Sequence, residues 1–545
     1  MVSLQCVYFK MNQPPFFENI NLFDIDLSLQ KIIRKNNAPA LEEELKEIGQ
    51  VIGSEEMINH GKLANKYEPI FHSHDSKGSR IDLIEFHPSY HALMDTAISN
   101  QLHAEPWSSQ KNNAHLSRMS KYYLYSQNES GTGCPISMTF ASVPAIQNYM
   151  SNADVWMKGI LSINYDPRNI PFYEKKGLTI GMAMTEKQGG TDVRANETVA
   201  KPIGVRGRGN LYTLTGHKWF CSAPMCDAFL TLAQTDKGLS CFLFPRWKED
   251  GTKNDFRIQR LKTKLGNKSN ASSEIEFEGA HAWLMGEEGR GIVTIIEMVS
   301  MTRYDCMIGS SSIMRRAVNE AIHHCQYRSV FGKKLIDQPL MQQVLSDLCL
   351  ETNASLAMTA YTAHCLDQKE SEVHLLLLRI LLPTGKYYIT KRASSVIVEA
   401  MECMGGNGYI EDSLFPRLYR EAPVNAIWEG SGNVQCLDVF RAFTKMPELI
   451  EVIFVELEGV DNSYYKKRIL NLKKNIKNLL TNETQARFLT ETIATLLQVR
   501  SMAFFGMDDS VEQYCQARFK QQINLFGNSL ITNPIQLIEN TYAFN

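Results

Sequence analysis

GLTIGMAMTEKQGGTD, residues 177–192, is where the chain changes character. Leu178, Ile180, Met182 and Met184 alternate with small residues, which predicts a half-buried strand, since side chains two apart share one face of a pleated sheet. The strand leaves through Gly189 and Gly190, where thin backbone lets N–H groups approach a ligand, with Thr185 and Thr191 supplying hydroxyls. Taken alone, the glycine pair is an ordinary strand-ending turn. No GxGxxG opens a helix here, so it is not a dinucleotide-binding fingerprint.

Upstream, from about Leu41 to Ile170, the pattern is mainly helical: Leu41, Leu45 and Ile48 recur at one-turn spacing, and Ile136 to Tyr149 is again apolar-periodic. Downstream, short strands are expected at Leu211 to Phe220, Ala228 to Gln234, Leu239 to Phe244 and Glu274 to Phe277, separated by turn signals such as Gly209-Asn210 and Gly266-Asn267. After Gly286 to Gly291 the helical period returns. Leu340, Val344, Leu345 and Leu348 make one apolar face, a later helix stops at Gly405-Gly406, and another starts near Ser431. The apolar run Leu375 to Leu382 stops at Pro383, too short to cross a bilayer. In the tail, Tyr465, Ile469, Leu472, Ile476 and Leu479 form one stripe. The layout is helices, a β unit, helices and an extra helical tail, bounded as 1–177, 178–285, 286–445 and 446–545.

At 545 residues the chain is too long for one core. With 44% hydrophobic and 21% charged residues and a formal net charge of -2, the composition is globular and gives no global pull toward nucleic acid or anionic membrane. The 12 cysteines contain no CxxC pair and are read as reduced thiols of a cytoplasmic protein. Met1 to Met11 lacks the pattern of a secretory signal, and Met11 could serve as the start. His323-His324-Cys325 does not make a metal site, because adjacent helix positions diverge around the axis.

Three further segments carry chemistry. In His217-Lys218-Trp219-Phe220-Cys221-Ser222, Trp219 could cover a planar ring and Ser222 could hydrogen-bond its polar edge; by themselves Trp219 and Phe220 read as core. In Arg328-Ser329-Val330-Phe331-Gly332, followed by Gln338, an arginine fork can clamp a pyrophosphate, although a bare Arg before a turn is more often a surface charge. In Ile427-Trp428-Glu429-Gly430-Ser431-Gly432-Asn433, glycines thin the backbone where a helix starts and free N–H groups favour anions. Glu429 has the mundane alternative of a dipole partner there.

In order and spacing, these segments resemble the acyl-CoA dehydrogenase family. TEKQGGTD resembles its TEpxaGSD flavin loop, Gly286 to Gly291 with Arg303 its GxxGxG…R passage, RSVFG with Gln338 its RxxFG…Q, and MGGNGY with WEGSGN its GGxGy and YEGT. GMAMTEKQGGTDV, GHKWF, GLSCF, LGNKSNAS, LYREAPVNAIWEGSGNVQCLDV and FHPSYH resemble its AidB-like branch, over nearly the whole chain.

The resemblance implies an α+β acyl-CoA dehydrogenase fold: an N-terminal helical domain, a central β-barrel-like domain, a C-terminal four-helix bundle and an extra helical domain. It implies FAD, with Met184, Thr185, Gly190, Thr191, Trp219, Phe220 and Ser222 beside the flavin ring and Ile427, Trp428, Gly430, Ser431 and Asn433 near it. Arg328, Phe331, Gln338, Gly405 and Gly406 would hold the adenosine and pyrophosphate end from a neighbouring subunit. Glu429 would be the catalytic base toward an acyl-CoA or other small substrate, since Thr302 stands where a subset of the family keeps its base. Trp428 replaces the usual Tyr, and Cys221 a hydroxyl residue. The branch implies a homotetramer, protection from alkylation damage, double-stranded DNA as partner and weak or unknown dehydrogenase turnover; the alternatives are an ordinary catabolic acyl-CoA dehydrogenase and a non-catalytic DNA-shielding flavoprotein. Candidate DNA contacts are Arg441, Lys466, Lys467, Arg468, Lys473, Lys474, Lys477 and Arg518. The segment 446–545 holds ten Lys and Arg against eleven Asp and Glu, so any DNA contact would be a local patch rather than a net-charge effect.

Overall fold

In the computed structural model, which describes residues 12–521, 525–529 and 531–544, the alternation beginning at Leu178 becomes a strand, Ile180–Ala183. Met1 to Met11, with the start-site question, lies outside the described residues. Ile180–Ala183 runs parallel to Ala228–Thr235, which pairs with Gly238–Pro245 and touches Val199–Pro202. Val199–Pro202 pairs with Leu211–Ser222, that strand with Ser272–Met285, and Ser272–Met285 with Gly238–Pro245, so the sheet returns to its start and closes like a barrel. The strand expected at Glu274 to Phe277 is far longer, because it pairs with Leu211–Ser222 along most of its length, with Phe256–Leu261 over its first part and with Gly238–Pro245 at its end. Phe256–Leu261, with its alternating burial, is a strand the sequence reading omitted.

Before the barrel lie helices from Leu27 onward and a hairpin, Ile70–His74 with Arg80–Glu85, inside the stretch read as helical. Its turn is set by Asp75, whose carboxylate accepts from the N–H groups of Lys77 and Ser79 at 2.9 Å each. The helix Ala114–Ser126 is buried at every position although its sequence is half polar. It is wrapped by Pro39–Ile52, Gly291–Tyr327 and Pro339–Asp367, and several of its polar groups find fixed partners. Ser117 donates to Glu105 at 2.7 Å, and Arg118 forms a two-pronged pair with Asp305 at 2.7 Å per bond. The guanidinium lies 3.4 Å from the centre of the Phe140 ring. Removing one partner of so buried a pair costs about 3–5 kcal/mol.

After the barrel come three long helices, Gly291–Tyr327, Pro339–Asp367 and Glu372–Cys403, completed into a bundle by Phe415–Ile427 and Gly432–Lys445. The third helix passes through Pro383, where the apolar run of the sequence ends. Helices pack around that segment on several sides, and packing outweighs the missing N–H. No helix among the described residues is long and apolar enough to cross a membrane. Leu340 is another correction: at the first turn of its helix it is 82% exposed, while Leu345 and Leu348 are buried.

The tail, including Ser463–Leu479 and Ala486–Phe504, docks on the bundle and returns to the first helix. The N–H of Leu27 donates to the carbonyl of Thr541 at 3.2 Å and that of Ala543 to Ile25 at 3.1 Å. Beneath them Asp26, fully buried, accepts from Tyr123 at 2.8 Å and pairs with Arg315 at 3.2 Å. Asn353 accepts from Ser28 and Arg315, both at 2.8 Å, and donates to Thr541 at 2.9 Å.

Candidate functional site

Glu429 follows the helix Phe415–Ile427 and precedes Gly432–Lys445, in a turn whose backbone is left-handed, with φ +57° at Glu429 and +95° at Gly430. Gly430 adopts this freely; Glu429 does so at a cost of about 1–2 kcal/mol and needs to be held. Arg303 donates to the Glu429 carbonyl at 3.1 Å, and Gln435 to the carbonyls of Glu429 and Gly430 at 3.0 and 2.9 Å. Arg303 itself pairs with Asp438 at 2.8 Å, which also binds Arg379 at 2.6 Å.

The carboxylate of Glu429 accepts a 2.7 Å hydrogen bond from the hydroxyl of Thr302. Burial pushes its pKa above the ordinary carboxylate value, opposed by the Thr302 hydrogen bond and the charges of Arg303 and Lys386. Thr302, which the sequence reading used only to exclude a second base, is thus the direct partner of the carboxylate; its spacing from Glu429 gave no signal of that. Trp428 donates to Asn425 at 3.0 Å, and Asn425 to Ser310 at 3.1 Å, which fixes the indole edge. Ile427 is exposed, as are Ser431 and Asn433, with Asn433 accepting from Arg487 of the tail at 2.8 Å.

On the barrel, the loop after Met184 is anchored by Glu186, a residue singled out only as part of its motif. Glu186 and Lys218 form a fully buried ion pair at 2.5 Å, and the same carboxylate accepts from the N–H of Glu197 at 2.7 Å. Desolvation pulls the Lys218 ammonium down to about 8, against the attraction of Glu186. The N–H of Trp219 donates to the Thr185 carbonyl at 2.7 Å, joining the two predicted segments. A Cβ on Gly190 would sit 2.5 Å from the Thr185 hydroxyl, which has no hydrogen-bond partner among the described residues. Gly190 and Thr191 are exposed and Met184 and Thr185 half-buried. Trp219 is half-buried and Phe220 is 46% exposed, so neither is core; the Lys262 ammonium lies 3.2 Å from the Trp219 ring centre. Ser222 is half-buried and lies 3.2 Å from the Ser272 hydroxyl.

Within one chain the remaining predicted cofactor residues stand apart. Arg328 follows the same helix as Thr302 by 26 residues, about 39 Å at 1.5 Å per residue. There Phe331, with φ +53°, is 96% exposed at the tip of a two-residue hairpin, and Gln338 donates to the Val330 carbonyl at 3.1 Å. Arg328 donates to the carbonyl of Asn12, and Gln13 accepts from Asn407 at 3.0 Å, so one short segment spans this end of the bundle. Gly405 and Gly406 are exposed, with nothing within 4 Å of where a Cβ would sit.

On the tail, Lys466, Lys467, Lys473, Lys474 and Lys477 are exposed along Ser463–Leu479, opposite the buried Tyr465, Ile469, Leu472 and Ile476. Lys466 pairs with Asp461 at 2.6 Å; Arg468 is half-buried beside Phe488, and Arg441 is exposed. Arg518 is a correction. It turns inward, paired with Asp347 at 2.6 Å and Glu351 at 3.3 Å, because those buried carboxylates need a cation, and its guanidinium is not offered to the surface.

Three family models match the chain in order: the adaptive response protein AidB N-terminal domain over residues 12–167, the acyl-CoA dehydrogenase middle domain over 181–280 and its C-terminal domain over 289–444. The Escherichia coli protein AidB is 41% identical over 531 residues, 96% of this chain and 97% of that one. Acyl-CoA dehydrogenase family member 11 of Caenorhabditis elegans is 30% identical over 443 residues, 77% of this chain and 69% of that one. A solved structure of the Caenorhabditis elegans protein ACDH-11 with C11-CoA superposes with a TM-score of 0.85 at 26% identity, covering 98% of this chain and 97% of that one.

Proposed function

The chain belongs to the acyl-CoA dehydrogenase family, in its AidB-type branch, and from that membership we propose an FAD-bound, homotetrameric, cytoplasmic flavoprotein of the alkylation response, with a thioester-type active site at Glu429. Its cofactor is FAD. When bound, FAD supplies the hydride acceptor for the substrate's β-carbon. The unpartnered Thr185 hydroxyl, left clear by Gly190, suits a ring edge that needs hydrogen bonds. Met184, Thr191, Trp219, Phe220 and Ser222 would border the ring, with Ile427, Trp428, Gly430, Ser431 and Asn433 opposite. Arg328, Phe331, Gln338, Gly405 and Gly406 would serve the neighbouring subunit's cofactor, a reading supported by the distance of Arg328 from Thr302 along one helix.

The observation that carries the chemistry is the 2.7 Å bond from Thr302 to the Glu429 carboxylate in a partly desolvated turn. A carboxylate raised by burial and aimed by a hydroxyl can take the α-proton of an acyl thioester. The solved relative bound to C11-CoA supports an acyl-CoA as the probe of first choice. Anaerobic mixing with a panel of acyl-CoA thioesters tests this. Bleaching of the flavin absorbance that Glu429→Gln abolishes is the expected result; bleaching by no thioester, or equal bleaching by Glu429→Gln, overturns it.

The lysine face of Ser463–Leu479 favours a second property, association with duplex DNA through phosphate contacts. Domain bounds of 1–177, 178–285, 286–445 and 446–545 go with this reading, the last carrying the DNA contact. Arg441 and Arg468 would extend the patch.

A further inference from the structure

Lys386 lies in the middle of Glu372–Cys403, three residues after Pro383, and is fully buried. Its ammonium donates to the Gly430 carbonyl at 2.5 Å, its sole acceptor among the described residues. No carboxylate there lies within ion-pairing distance of it, which is unusual for a buried lysine. Burial pushes its pKa down, opposed by Cys306 and Glu429.

The groups facing Glu429 come from four elements. Gly291–Tyr327 presents Thr302, Arg303 and Cys306, Gly133–Tyr149 presents Cys134, Glu372–Cys403 presents Lys386, and Gly432–Lys445 presents Asp438 behind Arg303. Arg303 has Asp438 as an ion-pair partner, which it shares with Arg379. Lys391 adds a further positive charge near Lys386. Lys386, unlike Arg303, has no carboxylate within ion-pairing distance among the described residues, and its ammonium is held by the Gly430 carbonyl alone. It also completes the grip on the left-handed turn, since Arg303 and Gln435 hold the Glu429 carbonyl while Lys386 and Gln435 hold that of Gly430.

We propose that Lys386 is a positioning residue for Glu429: its ammonium fixes the Glu429–Gly430 turn through the Gly430 carbonyl and adds, beside Arg303, a positive charge that favours the ionised carboxylate. The proposal rests on the reading of Glu429 as the base. It is tested without turnover, by infrared difference titration of the flavin-loaded, full-length protein, taking as the Glu429 signal the carboxyl band missing from Glu429→Gln. Lys386→Gln keeps a donor toward Gly430 and removes the charge, Lys386→Met removes both, and Lys386→Arg keeps the charge. The Glu429 midpoint is expected to rise by about one pH unit or more in Lys386→Gln, the size of effect a nearby opposite charge produces. It should rise at least as far in Lys386→Met and return toward the native value in Lys386→Arg. A midpoint in Lys386→Gln equal to that of the unaltered protein overturns the proposal, whether or not Lys386→Met folds. Failure of the base reading is a separate result: flavin bleaching by thioesters that Glu429→Gln leaves unchanged.

Discussion

At the scale of single residues, the Glu429 carboxylate sits between opposing influences, and Thr302 is the one most easily removed. Thr302→Val keeps the shape of the side chain and deletes the 2.7 Å hydrogen bond. Such a bond contributes about 1–1.5 kcal/mol. Loss of it is expected to slow thioester-driven flavin bleaching about tenfold at neutral pH and to move the pH profile to higher pH, since the bond favours the ionised form. Stopped-flow rates across pH check both effects; an unchanged profile would mean the hydroxyl does not aim the base. Gly430, Gly432 and the helix start beside Glu429 are written side by side, but it was the family resemblance that singled Glu429 out. Its partners were illegible: Thr302 lies 127 positions away and Lys386 44 from Gly430, and no periodicity encodes which helix faces will meet.

Among the elements, helix Ser463–Leu479 separates a buried stripe from a lysine face, so its two sides can be altered independently. Replacing Lys466, Lys467, Lys473, Lys474 and Lys477 by Gln should leave the melting temperature near native and flatten the salt dependence of duplex binding by about 0.9 log unit per lost phosphate contact. Fluorescence anisotropy titrations at several salt concentrations measure this. An unchanged slope would remove the helix from the DNA reading. Arg518→Ala, by contrast, should destabilise the fold, because it strands the buried Asp347 and leaves Glu351 with Arg392 alone. A second element-level contact is Asp367, whose carboxyl accepts from the N–H groups of His115 and Leu116 at 2.7 and 3.1 Å, capping Ala114–Ser126 from another helix. Burial raises its pKa to about 7. A raised folded value contributes stability below the unfolded value near 4 and loses it as pH climbs through 7. Asp367→Asn should therefore gain in melting temperature relative to the unaltered protein at pH 8 and match it more closely at pH 5. Strand and helix periods were readable along the chain, whereas Phe256–Leu261 and the passage through Pro383 were not. Both depend on neighbours the chain meets only after folding.

Across the whole molecule, histidines set an acid limit. Burial lowers the pKa of His103 to about 4, of His115 to about 3 and of His324 to about 4. A depressed folded value gives stability above the unfolded value near 6.5 and loses it as pH falls toward the folded one. Denaturant midpoints are expected to drop between pH 6.5 and 4, and replacing His115 by a neutral isostere such as Gln should shrink the drop; a flat profile would contradict the burial argument. The order of helical, β and helical units was legible from changes in hydrophobic period at Leu178 and Gly286. The buried pairs that join those units were not, since Arg118 and Asp305 stand 187 positions apart.

The contact that joins residues 25–27 to 541–543 also sets an order in time. On the ribosome the helix Leu27–Lys35 emerges early, with Leu29, Ile32 and Ile33 facing a core whose closing segment has not yet been translated. The backbone bonds of Leu27 to Thr541 and of Ala543 to Ile25 can form only after those residues have been translated, so this end of the helix is locked late. Until then that end of the helix lacks its last partners, the kind of incompletely covered surface chaperones hold.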